Sequence, residues 1–192
     1  MAKGLSAESI TVAAAELIEQ YGRSGFSMRL LADTMGVKTA SLYNHIENMD
    51  TLLTEVCRYA LRMQEDGELR AIAGKTGREA VWALAWAYRR FAQQHRELYW
   101  LVMDTAAGEP RVLDDAAARF TEPLKQVLSG FRLPPWEEIH FRRMFRAIVH
   151  GFASQEDEGF FSHYPASTEL SFEFAIQRFI DCVLEAEKRN PS

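Results

Sequence analysis

No run of this chain is apolar for long enough to cross a bilayer, and its first residues, MAKGLSAES, hold none of the apolar core that a secretory signal requires. A cytoplasmic protein with no membrane partner is therefore expected. Cysteine is nearly absent. Cys57 and Cys182 stand far apart, each inside a predicted helix, so neither a disulfide framework nor a thiolate cluster fits, and both are expected to be buried as small hydrophobes. The five histidines, His45, His95, His140, His150 and His163, have no metal-ligand spacing to cysteine or carboxylate, which points to no metal and no cofactor. Nucleophile motifs are missing too. There is no Gly-x-Ser-x-Gly, and Gly74-Lys75-Thr76 only ends like a phosphate loop: Leu69 occupies the place of that loop's first glycine, and no strand precedes it. Nothing in these patterns argues for an enzyme. Positive charge is also short, with 22 Lys and Arg against 27 Asp and Glu and a net charge of −5. Any contact with a polyanion must come from a local surface.

What the chain does have is helical periodicity. Its 192 residues are 47% hydrophobic, enough for a substantial core, and no alternating strand pattern, repeat or low-complexity tract interrupts them. The fold class is all-α, with about nine helices. The first spans about 7–21, with Ser6 as its cap, Gly22 after its end, and Ile10, Ala14, Leu17, Ile18 and Tyr21 on one face. Others are expected at 28–35, 39–46, 50–62, 78–95, 96–103, 110–128 (opened by Gly108-Glu109-Pro110), 136–156 and 168–188. The glycine- and charge-rich stretch 64–77 reads as a break, giving a small domain over 1–62 with a linking helix from about 50, and a larger one over 63–192.

The most informative stretch is 26–53, FSMRLLADTMGVKTASLYNHIENMDTLL. Ser27 is placed to cap a short helix whose inner face is Leu31, Ala32 and Met35. Gly36 ends it in the left-handed conformation and Val37 fills the angle. A second short helix follows, buried through Leu42 and Ile46, with Ala32 small enough to let the two axes approach. Outward lie Lys38, Thr39, Ala40, Ser41, Tyr43, Asn44 and His45, a polar face without a carboxylate. A helix built only for solvent usually carries Glu–Lys pairs. Within 22–46, Arg23, Arg29 and Lys38 stand against Asp33 alone. This is the pattern of a helix-turn-helix, whose second helix enters the DNA major groove; the plain alternative is a helical hairpin in a core.

Across about residues 6–55 the match goes further. Leu31-Ala32, Gly36-Val37, Leu42-Tyr43, His45 and Ile46 resemble the DNA-binding domain of TetR-family transcriptional regulators. That resemblance implies base or backbone contacts from Lys38, Thr39, Ala40 and Ser41, phosphate contacts from Tyr43 and His45, and a base or phosphate contact from Arg29. Ser27 can bond a phosphate or serve only as a cap, and Asn44 can pair with adenine if it points into the groove. One departure stands out: Met49 occupies a position where the family often has a phosphate-binding lysine, followed by Asp50, a candidate cap.

For the remainder the resemblance implies a ligand-binding and dimerising domain, and His150-Gly151 is similar to a branch with a His-Gly motif there. The aromatic-rich span supplies candidate ligand residues: Trp82, Trp86, Trp100, Met103, Phe120 and Phe145, with Arg146 or His150 as polar anchor, for a small, mostly apolar ligand. The same side chains also fit an ordinary core. The last helix carries the stripe Phe172, Ile176, Phe179, Ile180 and Val183, with Leu170, Phe174 and Leu184 extending apolar character around it. A helix apolar on more than one side must be covered on more than one side, so this stripe, with Gly151 permitting close approach, is the expected homodimer interface.

The resulting expectation is a homodimeric repressor that binds a palindromic double-stranded operator and is released by a small-molecule effector. Two rivals stay open. One is a helical ligand-binding protein or enzyme with a vestigial DNA module, favoured by the low local charge and Met49. The other is a constitutive DNA-binding or interaction factor without an effector.

Overall fold

The computed structural model describes residues 5–190 other than Glu109, without the side chains of 106–113 and 115–117. Glu109, which the sequence places at the start of a helix, lies outside the described residues. Among those residues there are nine α-helices and no strand: α1 (Ala7–Gly25), α2 (Met28–Met35), α3 (Thr39–Leu42), α4 (Met49–Ile72), α5 (Gly77–Gln94), α6 (Arg96–Gly108), α7 (Pro110–Leu128), α8 (Pro135–Asp157) and α9 (Thr168–Arg189). A 3₁₀ turn, Phe160–His163, precedes α9. No described helix is long and apolar enough to cross a membrane. The chain divides into two compact units, Met1–Met63 with His95–Arg119, and Gln64–Gln94 with Phe120–Ser192.

In the first unit, Ser6 and Ser9 close a reciprocal capping box on α1. The expected face of α1 is buried through Ile10, Ala14, Leu17 and Ile18, whereas Tyr21 is half-exposed, one turn beyond the packed stripe. Gly22 breaks the helix at φ 71°, and an added Cβ there would meet Glu97 Oε2 at 3.3 Å. The positive φ is what favours glycine here. α1 packs on α6, joined by His95 Nδ1 and Glu19 Oε1 at 2.8 Å. Burial pushes the Glu19 carboxyl above its ordinary range, and His95 opposes that shift. Cys57 is fully buried in α4, its thiol against the Leu101 carbonyl at 3.7 Å.

Two expectations are corrected at α4. The helix does not stop near Arg62 but continues through Gly67 to Ile72, and the break is confined to the residues just before Gly77. A helical glycine costs only about 1 kcal/mol, which the apolar positions Leu61 and Ile72 on the same helix outweigh. Its cap is Asn48, whose Oδ1 accepts the Thr51 N–H at 2.8 Å, and not Asp50, which sits in the first turn, where its charge suits the helix dipole.

In the second unit, α5 and α9 both pack on α8, and α5 also meets α9. The core is aromatic: Phe145 and Phe141 meet Phe179 edge-on at 5.4 and 5.9 Å between centroids, and Trp86 and Phe152 meet Phe172 at 5.3 and 5.2 Å. Each such pair adds about 0.5–1.5 kcal/mol beyond area burial. Here a further correction applies. Phe172, Ile176, Phe179, Ile180 and Val183, expected at a dimer interface, are all buried inside the single chain. The large apolar side chains that α9 leaves outside are Leu170 and Phe174, 64% and 65% exposed, with the Cys182 thiol also exposed rather than buried as expected. The most regular stripe of an amphipathic helix packs on its own core first, and only the weaker second face is left over.

Candidate nucleic-acid interface

Residues 26–46 form a helix, a tight turn and a second helix. Ser27 Oγ accepts the Leu30 N–H at 3.1 Å and so caps α2. At the other end Gly36 takes φ 67°, ψ 29°. Its N–H reaches the Asp33 carbonyl at 3.2 Å, and the Val37 N–H reaches Ala32 at 3.0 Å. This pair of bonds is a Schellman closure, which needs the left-handed residue that glycine supplies without steric cost. Ala32 is 1% exposed and Leu42 is fully buried, so α2 and α3 meet through small and branched side chains.

α3 is shorter than the sequence suggested. Regular helix ends at Leu42, and Tyr43, Asn44 and His45 follow in a turn whose His45 N–H bonds back to Leu42 at 2.9 Å, an i to i+3 closure. Tightening the last turn in this way is common at helix ends. The outward face is nevertheless as expected. Lys38, Ala40, Tyr43, Asn44 and His45 are exposed, Thr39 and Ser41 are half-covered, and Leu42 and Ile46 point inward. Tyr43 keeps half its surface in solvent. Arg29 projects from α2 with 90% of its side chain exposed and pairs loosely with Asp33 at 3.8 Å. Such an exposed pair is worth at most about 1 kcal/mol, so exchange of Asp33 for a phosphate is cheap. The structure thus brings Ser27, Arg29, Lys38 and the α3 face together on one module. No carboxylate interrupts the α3 face. Met49 begins α4, so that helix opens without the expected lysine.

The candidate ligand residues are divided between the two units. Trp100 and Met103 belong to the first unit, where Trp100 lies edge-on to Tyr99 at 5.5 Å. The other six belong to the second unit and fall in two places. Trp82 and Trp86 line an open groove with Ala71 and Ala83. Phe120, Phe145, Arg146 and His150 lie elsewhere. Phe145 is core, 3% exposed, while the Arg146 guanidinium stacks 3.6 Å from the Phe120 centroid and 5.3 Å from Tyr88.

Around Arg146 the structure reveals groups that the sequence reading passed over. Glu68, 3% exposed, accepts a bond from Gln64 Nε2 at 2.8 Å. Burial pushes its carboxyl up to about 8, against the opposing pull of the Gln64 bond and the Arg146 charge. Burial, reinforced by Arg146, holds His150 below its ordinary range. A neutral imidazole and a protonated carboxyl beside a guanidinium offer donors and an acceptor inside an apolar domain. The other missed pair is Arg89–Glu156, a buried bidentate ion pair with Arg89 Nε to Glu156 Oε2 at 2.9 Å. Its signal was present in the sequence: Arg89 lies on the apolar stripe of Ala85 and Ala92, and Glu156 follows Ala153 by three.

A pH dependence follows from Glu68. In the folded chain it holds its proton to about pH 8, and in the unfolded chain only to its ordinary range near 4.5. The folded state therefore binds more protons between those limits, and stability falls as pH rises through them. Glu68→Gln should flatten that slope in thermal melts at pH 5, 6.5 and 8, with its largest advantage at the highest pH. Parallel slopes for the two proteins would show that Glu68 ionises freely.

The fold, with a helix-turn-helix presenting a polar face on an otherwise helical chain, defines a DNA-binding regulator. Residues 10–56 match the family model described as bacterial regulatory proteins, tetR family, and residues 81–179 match the tetracyclin repressor-like C-terminal domain. The chain belongs to the TetR family of transcriptional regulators, with an N-terminal DNA-binding domain and a C-terminal ligand-binding domain. It is 28% identical to YobS, an HTH-type transcriptional regulator of Bacillus subtilis, over 94% of each chain. Among solved structures it resembles a Rhodococcus protein of unknown function, with TM-score 0.79 and 22% identity over 94% of this chain and 96% of that one. It also resembles the Streptomyces coelicolor TetR family protein ActR in complex with (S)-DNPA, with TM-score 0.66 and 19% identity over 96% and 100%.

Proposed function

We propose that this chain is a homodimeric repressor whose α3 faces read two halves of a palindromic operator and which leaves DNA when a small, mostly apolar effector binds the second unit. The single observation that carries this reading is the exposed, carboxylate-free surface of Lys38, Thr39, Ala40, Ser41, Tyr43, Asn44 and His45, set at a fixed angle by the Gly36 closure. Lys38, Tyr43, His45, Arg29 and Ser27 serve phosphates, while Asn44, Thr39, Ser41 and Ala40 serve base edges, Ala40 suiting a thymine methyl group. Residues 1–62 act as the DNA-binding domain and 63–192 as the effector and dimerisation domain.

The dimer face in this reading is the outer side of α8 and α9. Leu170 and Phe174 are exposed apolar side chains there, as are Trp136, Ile139 and Met144 on α8. Gly151 has no atom within 4 Å of where a Cβ would stand, which leaves room for a neighbouring helix. The effector's place is the cluster of Glu68, Gln64, Arg146 and His150 beside Phe120. Buried titratable groups with shifted ionisation mark functional sites more often than chance. ActR, a protein of similar fold, was solved in complex with (S)-DNPA.

The test is Phe174→Glu. A charge placed on the proposed interface should convert the dimer to monomer in sedimentation and abolish tight operator binding, because one half-site alone is weak. Phe174 is 65% exposed, so the melting temperature of the subunit should move little. A variant that remains dimeric and binds DNA normally would refute this interface.

A further inference from the structure

We infer that the groove framed by Arg70, Lys75, Arg90, Trp82 and Trp86 binds a small planar aromatic acid, a ring carrying a carboxylate or phosphate. The groove encloses about 480 Å³, and its remaining lining is Ala71 and Ala83. That volume is in the range of small-molecule sites. Two small alanines between two indoles leave space that a flat ring fills.

The charge is the informative part. This chain carries −5 overall, yet three cations meet at one groove with no carboxylate in its lining. None of the three forms an ion pair with another described residue. Elsewhere in the same unit five arginines are matched: Arg89 to Glu156, Arg132 and Arg189 to Glu187 and Glu137, Arg78 and Arg178 to Asp181. Arg70, Lys75 and Arg90 thus supply the charge complement that an anion would need. The aromatic wall is held in place. Trp86 is fixed by Phe172, edge-on at 5.3 Å, and by the Arg89 guanidinium 5.1 Å from its ring centroid. Arg89 is itself neutralised by Glu156, so it steadies the indole without competing for the ligand. A ring laid against these indoles with its acid group toward the arginines satisfies both halves of the groove. This site is separate in sequence and lining from the Arg146 cluster, and it does not depend on the DNA reading.

The experiment is calorimetric titration of the full chain with 2-naphthoate, 1-naphthyl phosphate and the uncharged 2-naphthalenemethanol. The acids should bind at least tenfold more tightly than the alcohol, and their order tells carboxylate from phosphate. Arg70→Gln with Arg90→Gln should remove that advantage, and Trp82→Leu should weaken acid and alcohol alike. Both arginines are exposed, so the double variant should fold normally, which a melting curve checks. Equal affinity for acid and alcohol, no binding of either acid, or acid binding untouched by the arginine and tryptophan variants would each overturn the assignment. The last result would place the ligand elsewhere.

Discussion

Glu156→Ala should be the most damaging single change outside the apolar core, lowering stability by about 3–5 kcal/mol. Glu156 takes both arms of Arg89, and Gln93 Nε2 approaches the same carboxylate at 3.4 Å. Arg89 is 5% exposed and sits against the rings of Trp86 and Phe172, with its guanidinium carbon 5.1 and 4.9 Å from their centroids. Arginine does not give up its proton, so loss of Glu156 strands a charge in an aromatic core. The double change Arg89→Met with Glu156→Leu should recover most of the loss, because an ion pair replaced by apolar side chains of similar volume is often neutral. Urea denaturation of the three variants measures this. A Glu156→Ala protein within about 1 kcal/mol of wild type would mean that water reaches Arg89 freely.

Asn44→Ala and Tyr43→Ala should each weaken operator binding by about 1–3 kcal/mol, roughly fivefold to 150-fold. Both residues are exposed, so folding and dimerisation should be preserved. The two losses should differ in kind. A phosphate contact from Tyr43 carries no sequence information, so its removal weakens operator and unrelated DNA alike. A base contact from Asn44 discriminates, so its removal relaxes preference at one position. Anisotropy titrations against the operator and a site altered at each adenine separate these outcomes. A Tyr43→Ala protein that no longer dimerises would contradict the role given to this surface.

The DNA-binding module was legible because its signals are local. Ser27, Gly36 and the inward spacing of Leu31, Ala32, Leu42 and Ile46 act over a turn or two, and each does in space what its chemistry requires. The face of α3 could be read as what was left over. Helix ends were harder where tertiary burial decides: α4 runs past Gly67, and α3 ends in a tightened turn. The second unit was legible only as helices. Whether an aromatic side chain lies in the core, a groove or a dimer face depends on which neighbours reach it, and no spacing within one helix states that. Hence the stripe on α9 proved internal, Trp82 and Trp86 parted from Phe120 and Arg146, and the ionisable residues Glu68, Arg89 and Glu156 went unassigned. A charged residue on an apolar stripe was the available warning.

The most direct test of the regulator reading is fluorescence-anisotropy binding of the dimer to the DNA immediately upstream of its own coding region, across a salt series, with a scrambled duplex of equal length beside it. The account predicts tight binding that depends on a palindrome with half-sites roughly 34–36 Å apart, and a shallow salt slope given the few cations near α3. Weak, steeply salt-dependent binding, equal for both duplexes and for DNA selected from the whole genome, would contradict it.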